Sequence, residues 1–97
     1  MKPSGQLRFG IAWFRPEQWS RLLEISEDRK DLEETFAEWA SLAEEKLRDL
    51  RAQRLDAEKI TIDVEELLAW CKSRGLSVDA SARSQYVAEL LRKRDLN

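Results

Sequence analysis

Leu7-Arg8-Phe9-Gly10-Ile11-Ala12-Trp13-Phe14-Arg15-Pro16 is the stretch on which the fold turns. In an extended chain successive side chains leave on opposite sides, so Leu7, Phe9, Ile11 and Trp13 share one face and Arg8, Gly10, Ala12 and Phe14 the other. The first face is bulky and apolar, and the second is small through much of its length. This alternation predicts a strand. Arg15 stands before a proline and is held extended, while Pro16 suits a first helical turn. A helix over 16–25 is therefore expected, burying Trp19, Leu22 and Leu23.

Residues 26–54 carry the strongest helical pattern. Leu32, Phe36, Trp39, Ala40, Ala43, Leu47 and Leu50 fall within an arc of roughly 100° on a helical wheel, as an amphipathic core helix requires. Ser26 is one candidate cap, and Asp31 with Glu34 reaching back is the other. Acids crowd the first part of this segment and bases its end, which suits the helix dipole. A second alternating, β-branched run, Lys59-Ile60-Thr61-Ile62-Asp63-Val64, predicts a second strand. Asp63 with Glu66 then caps a helix whose face holds Val64, Leu67, Leu68 and Cys71. Gly75 sits where a left-handed helix end is wanted, with Leu76 folding back towards Cys71. Ser77 or Asp79 starts a last helix bearing Ala80, Tyr86, Val87, Leu90 and Leu91.

The expected architecture is a mostly helical α+β domain over 7–97, in the order strand-helix-helix-strand-helix-helix. Its two short strands pack on a long central helix, behind a mobile tail over 1–6. Two strands alone make a marginal sheet, so they must lie against helices or be extended by a second copy of the chain.

Composition narrows the chemistry. The chain has 97 residues, 37% of them charged, with a net charge of −2, no His and one Cys. Without imidazole the usual proton shuttle and the commonest metal ligand are missing, and a single Cys cannot form an internal disulfide. The longest apolar run, Leu67-Leu68-Ala69-Trp70-Cys71, is five residues and too short to span a bilayer. No membrane partner, metal or cofactor is expected, and the setting is read as cytoplasmic. Cys71 shares a helical face with Leu67 and Leu68, which marks it as a small buried hydrophobe, not a nucleophile. Glu34 and Glu38 are neighbours on a helix but sit off its apolar stripe, so they read as a solvated face. No catalytic residue is assigned and the chain is read as a non-enzyme.

The aromatic supply is the feature that asks for a function. Trp13 and Phe14 are consecutive in a strand, so one serves the core and the other needs cover. Phe14, Arg15, Gln18 and Trp19 are the candidate partner-binding residues. Phe14 would fill a partner's pocket, and Arg15 and Gln18 would supply directional hydrogen bonds. Trp and Arg dominate interface hot spots, which supports the choice. The function expected is thus a non-catalytic protein-interaction or accessory module, with another protein or a second copy as partner. One alternative is a small regulatory nucleic-acid binder using Lys72, Arg74, Arg83, Arg92, Lys93 and Arg94 on the C-terminal helices. Against it stand Asp79 and Glu89 in the same region and the absence of net positive charge, so nucleic acid is not the expected partner. A further alternative is a small ligand in an aromatic-lined pocket joined to Arg15 or a carboxylate.

Two segments, Ile11-Ala12-Trp13-Phe14-Arg15-Pro16-Glu17-Gln18-Trp19 and Glu66-Leu67-Leu68-Ala69-Trp70-Cys71-Lys72-Ser73-Arg74-Gly75, resemble small uncharacterised bacterial proteins of about this length, a domain of unknown function. The resemblance implies a bacterial cytosolic setting and carries over no functional residue.

Overall fold

The two alternating segments become strands β1 (Arg8–Trp13) and β2 (Asp56–Thr61) in a computed structural model that describes residues 8–96. The tail expected over 1–6 lies outside the described residues. A 3-10 turn (Pro16–Gln18) leads from β1 into α1 (Trp19–Ile25), and a second (Arg29–Asp31) precedes α2 (Phe36–Ala52). After β2 come α3 (Val64–Ser73) and α4 (Ala80–Leu96). The order is the expected one, and the fold is a mostly helical α+β domain. Among the described residues no helix is long and apolar enough to cross a membrane.

β1 and β2 pair in parallel, with Arg8 opposite Asp56 and Trp13 opposite Thr61. Parallel neighbours need a long crossover, and α1 with α2 supplies it. β2 begins three residues before the stretch expected from its β-branched run. Asp56 and Glu58 are poor strand formers, but Arg8 on the facing strand pairs with both, and with Asp95 of α4. At the other end, Asp63 Oδ1 accepts from the Glu66 N–H at 3.0 Å, so Val64 opens α3 and does not close the strand.

α2 also begins later than its apolar stripe predicts. The Ser26 hydroxyl donates to the Leu22 carbonyl at 2.6 Å, so it closes α1 instead of opening a new helix. The Glu27 N–H donates to the Val78 carbonyl at 2.8 Å, which draws the chain away towards α4. The true cap is Thr35. Its Oγ1 accepts from the Glu38 N–H at 3.1 Å, and the Glu38 carboxylate accepts from the Thr35 N–H at 3.3 Å. Leu32 therefore precedes the helix, although it still packs against the core.

The end of α3 follows its sequence closely. Gly75 takes φ +66°, Gly75 N–H donates to Lys72 and Leu76 N–H to Cys71, the two bonds of a Schellman ending. Asp79 Oδ1 then accepts from the Ala82 N–H at 2.9 Å and starts α4.

Adjacent residues of β2 show how the helices flank the sheet. Glu58 pairs with Arg94 of α4, and Lys59 pairs with Glu44 of α2. Neighbouring strand side chains point to opposite faces, so α4 covers one face and α2 the other. The sheet packs on the long helix α2, and α4 covers its other face. Leu22, Ile62, Val64, Leu67 and Cys71 form the driest part of the core, where α1 and α3 meet the α4 side.

Candidate functional site

In a strand the N–H and C=O of one residue leave on the same side, and the side alternates along the chain. The Ile62 N–H donates to the Trp13 carbonyl at 2.8 Å, which fixes the phase. Phe9, Ile11 and Trp13 turn their peptide groups towards β2, and Gly10 and Ala12 turn theirs to the other side. β1 has no second neighbour in the sheet, and the peptide groups of Gly10 and Ala12 find no further backbone partner among the described residues.

The outer edge of β2 is treated differently. Arg51 Nε donates to the Ala57 carbonyl at 3.2 Å, which occupies an outward acceptor of that strand. Lys59 holds its ammonium over the Trp13 ring, 4.2 Å from its centre, and pairs with Glu44 at 2.9 Å. Lysine, arginine and a covering helix are the usual means of blunting an edge strand. On β2 an arginine occupies an outward carbonyl, whereas no side chain bonds the outward peptide groups of Gly10 or Ala12 among the described residues.

A cavity of about 430 Å³ borders this edge, touching Trp39, Leu42 and Ala43 of α2 and Ser84 and Val87 of α4. Because α2 and α4 lie on opposite faces of the sheet, a space that touches both must run past the free edge of β1. A second cavity of about 510 Å³ shares Gly10, Ser84 and Val87 and continues towards Arg8 and Arg92. Together they make a groove whose floor is a strand edge and whose walls are helices. Leu42, 52% exposed, is its most exposed large apolar side chain. The groove offers hydrogen-bond donors, acceptors and apolar contact. No group of three or more metal-ligating side chains occurs among the described residues.

The residues expected at a partner surface are placed otherwise. Phe14 is 5% exposed and Trp19 3%, so both are core side chains and neither reaches a partner's pocket. They belong to a cluster in which Trp39 stacks on Trp19 at 5.3 Å and meets Phe14 edge-on at 5.4 Å. The Trp19 indole N–H is satisfied by the Glu33 carbonyl at 3.1 Å. Gln18 is turned inward to the start of α3, where its Oε1 accepts from the Val64 N–H at 3.0 Å and its Nε2 donates to Asp63 at 3.4 Å. Arg15 reaches the same Asp63 at 3.8 Å and stays largely exposed. The backbone N–H bond from Glu66 is the main reason the Asp63 carboxyl lies below its ordinary range.

The six basic residues do not form one surface. Arg83 pairs with Asp28 at 2.5 Å, Arg94 with Glu58 at 2.6 Å, and Arg74 and Lys93 both answer Glu89. Arg74 also lies over Trp70, 4.4 Å from the ring centre, beside the Trp70 indole bond to Glu89. Lys72 and Arg92 make no ion pair among the described residues. Cys71 is 0% exposed and burial pushes its thiol pKa up, which leaves it unreactive in the folded chain.

Gly10, Ala12 and Leu42 are the site residues the sequence alone does not single out. A signal existed in the small residues alternating through β1, and in Leu42, an apolar residue standing off its helix stripe. No protein-family model, no curated protein and no solved structure matches this chain.

Proposed function

We propose that this chain is a non-catalytic protein-interaction module that receives an added β-strand along the outer edge of β1. One observation carries the reading: the outward peptide groups of Gly10 and Ala12 are left bare in a sheet whose other edge is blunted. Strand addition draws affinity from such main-chain groups and specificity from flanking pockets, and the groove supplies both. A cytoplasmic setting belongs to the same reading, and a chain with one Cys has no internal disulfide framework to set against it.

Nucleic-acid binding through the C-terminal helices has less support, since four of the six bases answer acids of the same chain. A small aromatic-site ligand also has less support, because the groove touches Trp19 and Trp39 but not Arg15.

Amide hydrogen exchange tests the proposal. The Gly10 and Ala12 N–H groups should exchange quickly in dilute protein. They should slow at least tenfold at high protein concentration or with at least one member of a library of extended peptides. Fast exchange of both amides under every condition would end the reading.

A further inference from the structure

We infer that the strand added to β1 is the β1 of a second copy, antiparallel to the first, about a twofold axis at Ile11. This rests on the reading of the β1 edge as a docking site and names its occupant.

The register follows from which peptide groups are free. Outward-facing residues of two antiparallel strands exchange paired hydrogen bonds. Setting Gly10 opposite the partner copy's Ala12, and Ala12 opposite its Gly10, uses every bare N–H and C=O of both residues. Ile11 then meets its own counterpart across the axis, and Phe9 faces Trp13. These three side chains lie on the α2 side of β1 and are only half-buried in the single chain, because α2 sits over β2. Apolar meets apolar at each position, and a marginal two-stranded sheet becomes a four-stranded one.

The helices leave room for this pairing. α4 packs on β1 and also touches β2, with Val87 and Leu91 lying against Gly10. The twofold copy sets the two α4 helices on the same face of the enlarged sheet. Ser84 and Ala88, which line the groove from α4, are small enough to meet there.

Light scattering and sedimentation equilibrium on the full chain test the inference. At tens of micromolar the particle should have twice the 11.4 kDa chain mass. Ala12→Pro removes an outward N–H that the chain's own ladder does not use, and should weaken association at least tenfold with the circular dichroism unchanged. Leu42→Glu, at an exposed position, should weaken it too and serves if the proline variant fails to fold. Oxidised Ile11→Cys should form a cross-linked dimer, since residues facing each other at a non-hydrogen-bonded pair lie within disulfide reach, whereas Phe9→Cys should not. A chain that stays monomeric at high micromolar concentration overturns the inference. So does a dimer indifferent to Ala12→Pro and Leu42→Glu. In either case, peptide protection of the Gly10 and Ala12 amides would show that the edge still binds a foreign strand.

Discussion

Gly10 of β1 and Val87 of α4 approach so closely that a Cβ built on Gly10 would lie 2.6 Å from Val87 Cγ1, with Ile60 at 3.1 Å. The absence of a side chain at Gly10 is what lets α4 settle on the sheet. Gly10→Ala should therefore destabilise the chain by about 1–3 kcal/mol, the usual range for overpacking a filled core. Urea denaturation checks this, and adding Val87→Ala should recover part of the loss, because the two substitutions share one contact.

Gln18 should behave as part of the α3 cap. Its carbonyl oxygen serves the Val64 N–H and its amide reaches Asp63, which itself holds the Glu66 N–H. Gln18→Ala should lower stability by about 1 kcal/mol, the net worth of a neutral hydrogen bond. In an Asp63→Ala background the same change should have a smaller effect, since both side chains act on one helix end. A double-mutant cycle by chemical denaturation measures the difference; strict additivity would mean that Gln18 acts elsewhere.

Acid should withdraw the stability that the contact between β2 and α4 contributes. The Arg94 guanidinium, with Arg8 beside it, lowers the Glu58 pKa from 4.5 to about 2. Arg83 likewise holds the Asp28 carboxyl below its ordinary range. A carboxylate whose pKa is depressed by folding stabilises the folded state above its unfolded pKa and loses that contribution as pH falls through the folded one. The urea midpoint should thus fall between pH 4.5 and about 2. Glu58→Gln should flatten that part of the profile, and an unaltered slope would mean that the pairs with Arg94 and Arg8 do not carry it.

Local chemistry was legible where the deciding partner lies close in the chain. The Asp63 cap needs only Glu66, the Gly75 helix end needs only Cys71 and Lys72, and the alternation of β1 is visible from its own residues. The start of α2 was misread because Ser26 can cap either neighbour, and only its bond back to Leu22 decides between them. The early start of β2 was hidden for a like reason: Asp56 and Glu58 become strand residues because Arg8, far away in the chain, neutralises both.

The proposed site lay further out of reach. Phe14 and Trp19 look like contact residues when their aromatic surface has no visible cover, and Trp39 supplies that cover only after α2 has packed. Residue order alone determined which segments alternate, which helices are amphipathic and where most of them stop, because those properties follow from contacts a few positions apart. Tertiary structure decided that the strands run parallel, that the sheet lies between α2 and α4, and that the edge carrying Gly10 and Ala12 is left bare. A strand's neighbour is chosen by the path of the whole crossover, and no short stretch of chain contains that path.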